Sequence, residues 1–268
     1  MSELSGPVLD FHARLVPRPG AADRLLSTMD ECGVDRAVIC AGGLLPLERL
    51  SRQLVEGGHV TADADNQAVF AAADGSGGRL VPFYFANPHR PPERYRDEAA
   101  GFAGLEVSPA VHGVPLRDER TEALLAVAAE AGHPVYTVCL SRPGSTVADL
   151  VALAVAHPSI PFVLGHSGVG NIDYYAVDLI GPHPNILMET SGGYSTVVGT
   201  ALERLGAHRL LFGSEFPLQH PRVELAKYAA LDLTPGQWAQ VAWHNAHRLL
   251  GKARSRKESP MPKSLEAR

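Results

Sequence analysis

Three cysteines in 268 residues, Cys32, Cys40 and Cys139, are too few and too scattered for a zinc ribbon or a disulfide framework. Their apolar neighbours suit reduced, buried thiols of a cytoplasmic protein. Long apolar runs are missing as well. No stretch approaches the roughly 20 residues that cross a bilayer, and no charged region followed by an apolar one opens the chain. A soluble, intracellular protein with no membrane partner is therefore expected. Nor is there an excess of positive charge: 24 Lys and Arg stand against 29 Asp and Glu, a net charge of −5. That balance gives no general attraction for a phosphate backbone, so nucleic acid is excluded as a partner and a small-molecule substrate is expected. A homodimer is left open. Finally, no glycine-rich phosphate loop follows the first apolar run, which argues against an open, doubly wound sheet of the dinucleotide-binding kind.

What is present is alternation. Short apolar runs at 7–13, 36–40, 80–85, 104–107, 134–139, 161–165, 185–189 and 209–213 read as strands. Amphipathic stretches such as AADRLLSTMDECG, ERTEALLAVAAEAG, STVADLVALAVAH and TVVGTALERLG lie between them. Gly33, Gly132 and Gly206 stand where a helix C-terminus wants a left-handed residue. Eight strands with intervening helices are the count of a closed α/β fold, a single (β/α)8 TIM barrel spanning residues 1–251. The segment 252–268, KARSRKESPMPKSLEAR, is rich in Lys, Arg, Ser and Pro and is expected to be a disordered basic tail.

In such a barrel chemistry is built at the C-terminal strand ends. The first strand, within VLDFHARL, places Asp10, His12 and Arg14 on alternate positions of one face. Later runs end in LEVS with Glu106 and Ser108, in YTVC with Thr137 and Cys139, and in GHSG with His166 and Ser167. Next come METSGG with Glu189 and Ser191, and FGSEFP with Ser214 and Glu215. Isolated buried charges are costly, so ionisable residues at successive strand ends point to one shared site.

Read together, Asp-x-His on the first strand, GLEVSPAVHGVPLRDER, AGHPVYTV, PFVLGHSGVGN, NILMETSG, LLFGSEFP and NAHRLLG resemble the amidohydrolase superfamily, in its amidohydrolase-related branch. The resemblance runs in order from about Val8 to Gly251. It implies a (β/α)8 barrel and either a divalent-metal hydrolase or a related decarboxylase or hydratase. The branch also holds lactonases that work without metal. This chain departs from the family pattern. Arg14 replaces the second histidine of the usual Asp-x-His-x-His, and Glu106 and Ser108 stand where lysine and histidine are common. Val138 replaces the fifth-strand histidine, and Glu215 the usual aspartate.

From these residues the expected catalytic set is Glu215, His166, His12 and Arg14, with Glu106, Ser108, Thr137, Glu189 and Arg142 lining the substrate site. The expected activity is hydrolysis of a small cyclic amide, lactone or ester, with Glu215 as general base on water. A mononuclear-metal decarboxylase of a small carboxylic acid is the alternative, and a non-catalytic binding barrel a third. Because Arg14 would repel a dication, no cofactor is expected. The alternative is one divalent ion, zinc, held by His12, His166 and Glu215. Arg14 is instead expected to pair with Glu106 or Glu215 across the barrel mouth.

Overall fold

The computed structural model describes residues 4–257. Its strands are β1 (Leu9–Leu15), β2 (Arg36–Ala41), β3 (Leu80–Pro82), β4 (Tyr84–Phe85), β5 (Leu105–Val107), β6 (Val135–Thr137), β7 (Phe162–Leu164), β8 (Ile186–Glu189) and β9 (Leu210–Leu211). All pairings are parallel, β1 to β3 in one run and β4 to β9 in another. Strands covered on both faces read as almost unbroken apolar runs, which is why the sequence marks them so plainly.

The two runs are one barrel. At Phe83 a single strand passes from one neighbour to the next: Phe83 N–H donates to Ile39 O at 2.9 Å, and Tyr84 N–H to Gly104 O at 2.9 Å. β3 and β4 are thus two halves of the third barrel strand. The other seam closes just beyond β9, where Phe11 N–H donates to Phe212 O at 2.8 Å and Glu215 N–H to His12 O at 2.8 Å. Ala13 and Phe216 form a parallel bridge at the same seam. Eight strand positions in a closed ring make a (β/α)8 TIM barrel and rule out the open sheet.

Proline and arginine move the expected strand edges. Pro134 and Pro161 cannot donate to a ladder, so their strands begin one residue later, while their carbonyls still accept from Leu105 and Val135. Arg209 lies not in a strand but at the end of the turn Ala207–Arg209, its guanidinium donating to Ile186 O and His183 O beneath the barrel. The helices end as the glycines suggest at Gly33 and Gly132, both left-handed with φ of 68° and 71°. Inside the barrel, Gly104 leaves room for Phe83, whose ring would lie 2.3 Å from an added Cβ. Phe11 meets Phe83 edge-on at 5.7 Å. These rings form an apolar layer within the barrel. The last helix, Asn245–Lys257, continues past Gly251, and the rest of the expected tail lies outside the described residues. Among the described residues no helix is long and apolar enough to cross a membrane.

One staple holds the loops above the third strand. Asp63 accepts from Asn87 Nδ2 at 2.7 Å, Arg90 Nε at 2.9 Å and Arg94 Nη1 at 2.6 Å. Partial burial works against its ionisation, but the two guanidiniums and the amide outweigh it and bring the carboxyl down to about 2. A depressed carboxyl stabilises the fold above its unfolded value, about 3.9, and the contribution is lost as pH falls through about 2. Both arginines are well exposed, so the stability effect is small. We expect the Asp63 carboxyl, followed by carbon-13 NMR, to titrate near 2; a midpoint near 4 would show that the staple is open in solution.

Candidate active site

Register decides which side chains meet. Phe85 pairs with Glu106 and Glu106 with Tyr136, so these three share the inner face on neighbouring strands. His12 enters from β1 and lies flat on Tyr136, ring centroids 4.0 Å apart and planes 4° from parallel. Arg14 follows two residues on. Its Nη1 and Nη2 donate to Glu106 at 3.1 and 2.8 Å, its Nε donates to Glu215 Oε1 at 2.9 Å, and the guanidinium sits 5.6 Å from the Phe85 ring centre. The expected cross-barrel pairing of Arg14 is thus made with both carboxylates at once.

Burial makes these charges depend on one another. Glu106 has no exposed surface, which opposes ionisation, yet Arg14 and His12 bring it down to about 2. Glu215 is held well below the usual carboxylate range, because Arg14, His12 and His166 outweigh the cost of burial. Burial opposes protonation of His12, but the Glu215 charge and the Glu106 carboxylate 3.5 Å from Nε2 raise it to about 9. Asp10 shows the opposite balance: burial lifts it to about 7, although Ser214 N–H at 2.9 Å, Ser214 Oγ–H and His12 N–H at 3.1 Å all donate to it. Asp10 therefore locks β1 to the turn that carries Glu215.

His166 arrives from the turn after β7 with a left-handed φ of 57°, and Glu215 likewise has φ 58°. Strain of this kind persists only where surroundings enforce it. For His166 the enforcing group is Glu189, which accepts its N–H at 3.1 Å. The imidazole Nδ1 meets Ser191 Oγ at 2.7 Å, and Nε2 points to Glu215 Oε2 at 3.7 Å.

The structure separates the expected site residues into two groups. His12, Arg14, Glu106, His166 and Glu215 converge. Glu189, fully buried, spends its carboxylate on internal donors rather than facing a substrate. Thr137 pairs with Val107 and Leu164 on the face opposite Tyr136, a one-residue offset that turns it toward the helices and away from the barrel interior. Ser108 is buried just past β5, its carbonyl accepting from Val111 and His112 N–H. Arg142 reaches the carbonyl of Gln53, tying the loop after β6 to the helix Leu47–Glu56. Tyr136 and Phe85 were missed. Val138 marks the family's histidine position, and the same-face residue two places before it is Tyr136.

Three donors remain for a cation. His12, His166 and Glu215 each offer an atom within 4.8 Å of the others. Both ring nitrogens of His12 and Glu215 Oε2 are buried without a hydrogen bond, although Nδ1 and Oε2 face each other as an ion pair. The Arg14 charge, expected to repel a dication, is matched by the Glu106 fork. Two imidazoles and a carboxylate suit a divalent ion of the manganese, iron or zinc kind. The residues fit one ion.

Comparison with known proteins agrees with this barrel. The family described as Amidohydrolase matches residues 9–252. No curated protein matches the chain. Among solved structures, the chain is similar to a 5-carboxyvanillate decarboxylase from Sphingomonas paucimobilis, with TM-score 0.70, 14% identity and coverage of 92% of this chain and 99% of that one. It is similar to a dihydroxybenzoic acid decarboxylase from Polaromonas with bound manganese and 2-nitroresorcinol, with TM-score 0.67, 14% identity and coverage of 92% and 97%. An uncharacterised TIM-barrel protein from Bordetella bronchiseptica gives TM-score 0.72, 16% identity and coverage of 92% and 99%. Two expectations are corrected. Hydrolysis gives way, since most of the similar structures are decarboxylases and Glu215, held well below the usual carboxylate range, is a poor base on water. The expected lack of a cofactor gives way to a metal, on the convergent donors here and the manganese bound by the relative.

Proposed function

Because the chain belongs to the amidohydrolase family, which spans nearly all of it, we propose that it is a divalent-metal-dependent decarboxylase of a small aromatic acid. The observation that carries this reading is the convergence of His12, His166 and Glu215 beside an arginine whose charge is already matched. These three side chains would hold the ion. Bound there, it would supply positive charge to anchor and polarise the substrate carboxylate.

The remaining steps fall to the chain's own groups. Arg14 fixes Glu215 through Oε1, leaving Oε2 directed at the imidazoles. Glu106 balances Arg14 so that the guanidinium stays in place without drawing Glu215 away. Phe85 and Tyr136 keep the walls apolar, which favours the loss of a charged carboxylate as neutral carbon dioxide. In that loss the carbon–carbon bond breaks, its electron pair stays on the ring carbon, and one proton replaces the carboxylate. His166 would itself be committed to the ion, so the proton comes from solvent at the mouth of the site, where about a quarter of the His166 side chain is exposed.

The test is to strip the protein of metal, add Mn2+, and follow carbon dioxide release from a panel of hydroxybenzoates. We expect one equivalent of Mn2+ to bind and release to depend on it. Failure to bind Mn2+, or binding without carbon dioxide from any acid of the panel, overturns the reading.

A further inference from the structure

Glu189 is the most heavily committed carboxylate of the barrel. Its Oε2 accepts from Tyr136 OH at 2.9 Å, from Ser191 Oγ at 3.0 Å and from His166 N–H at 3.1 Å, and its Oε1 accepts from Ser191 N–H at 2.6 Å. Two of these donors touch the imidazoles of the site directly. Tyr136 carries His12 on its ring face, and Ser191 Oγ meets His166 Nδ1. Oε2 already accepts from Tyr136 OH and His166 N–H, so it meets Ser191 as an acceptor and the hydroxyl of Ser191 gives its hydrogen to Glu189. Its lone pair then faces His166, and Nδ1 must be the protonated ring nitrogen.

We propose that Ser191, oriented by Glu189, is a positioning residue that fixes His166 as the Nδ1–H tautomer and presents the Nε2 lone pair toward Glu215. Outer partners of this kind set the tautomer and ring angle of a ligating histidine, and their loss costs about 10- to 100-fold in metal affinity. Here the carboxylate acts through a hydroxyl rather than on the ring. That relay leaves Glu189 free to bind the His166 backbone and Tyr136 at the same time. A single buried group thereby orders the imidazoles that enter from β1 and from the turn after β7. Only the ion in this inference rests on the decarboxylase reading; the tautomer does not.

The test uses metal-free protein with nitrogen-15 histidines, at a pH raised until the His166 signals stop changing. The His166 signals are identified by their loss in His166→Gln. We expect the parent to show Nδ1–H, and Ser191→Ala to show a mixture with Nε2–H. Ser191→Thr, which keeps the hydroxyl, should restore the parent tautomer. Glu189→Gln should move the balance toward Nε2–H, because its amide can donate to Ser191 and turn the hydroxyl hydrogen toward the ring. A Mn2+ titration should then weaken about 10- to 100-fold in Ser191→Ala and little in Ser191→Thr. If Ser191→Ala folds and keeps Nδ1–H, the proposal is wrong. If it changes tautomer but not Mn2+ affinity, the relay has no part in holding an ion and the proposal also fails. Parent protein that binds no Mn2+ removes the decarboxylase reading, while the tautomer measurement still decides the role of Ser191.

Discussion

Arg14→His is expected to lower stability by about 3–5 kcal/mol, the usual cost of leaving one member of a buried ion pair alone. Glu106 has no exposed surface and receives both fork bonds from Arg14, so it cannot turn to water for compensation. Its other cationic neighbour is His12, whose Nε2 is 3.5 Å away and which already faces Glu215. A histidine at position 14 is too short to repeat the fork, and near neutral pH it carries little charge unless its own pKa rises. The double change Arg14→His with Glu106→Gln should recover part of the loss, since it removes the orphaned charge as well as the guanidinium. Urea unfolding of the parent, both single variants and the double variant closes the cycle. Additive effects would show that Arg14 and Glu106 are not coupled in solution.

The same group illustrates what could be read before the structure. Alternation along VLDFHARL was enough to put Asp10, His12 and Arg14 together, and the sign of their charges was enough to expect a carboxylate partner for Arg14. The barrel was legible because most of its strands, buried on both sides, are apolar runs, with charged or polar interruptions such as Asp10 and His12 in β1 and Glu106 in β5. Face assignment within the three-residue strand β6 was not legible. Thr137 and Tyr136 are equally buried, and only pairing with β5 shows which one looks inward. The role of Glu189 was hidden for a related reason: a carboxylate at a strand end reads as a substrate contact until its donors are known. The metal expectation failed on charge counting. The pairing of Arg14 with a carboxylate was expected, but as a replacement for a dication; with Glu106 taking both fork bonds across the mouth, Glu215 still keeps one oxygen free to face the imidazoles.

Glu215→Gln should abolish ion binding while sparing most of the fold. The substitution keeps the side-chain length, and an amide oxygen can still accept from Arg14 Nε, so Arg14 retains Glu106 and one further acceptor. What disappears is the only carboxylate among the three donors. Two imidazoles and an amide oxygen, none of them an anion, then face a dication next to a guanidinium, and the Glu106 charge is already committed to that guanidinium. We expect Mn2+ affinity to fall by at least about 100-fold, roughly 2.8 kcal/mol at 1.4 kcal/mol per tenfold. The loss of unfolding free energy should stay well below that of Arg14→His. Electron paramagnetic resonance of free Mn2+ gives the first quantity and urea unfolding the second. Unchanged Mn2+ binding in Glu215→Gln would mean that any ion sits away from His12 and His166. A stability loss as large as that of Arg14→His would mean that Glu215, rather than Glu106, is the carboxylate on which Arg14 depends.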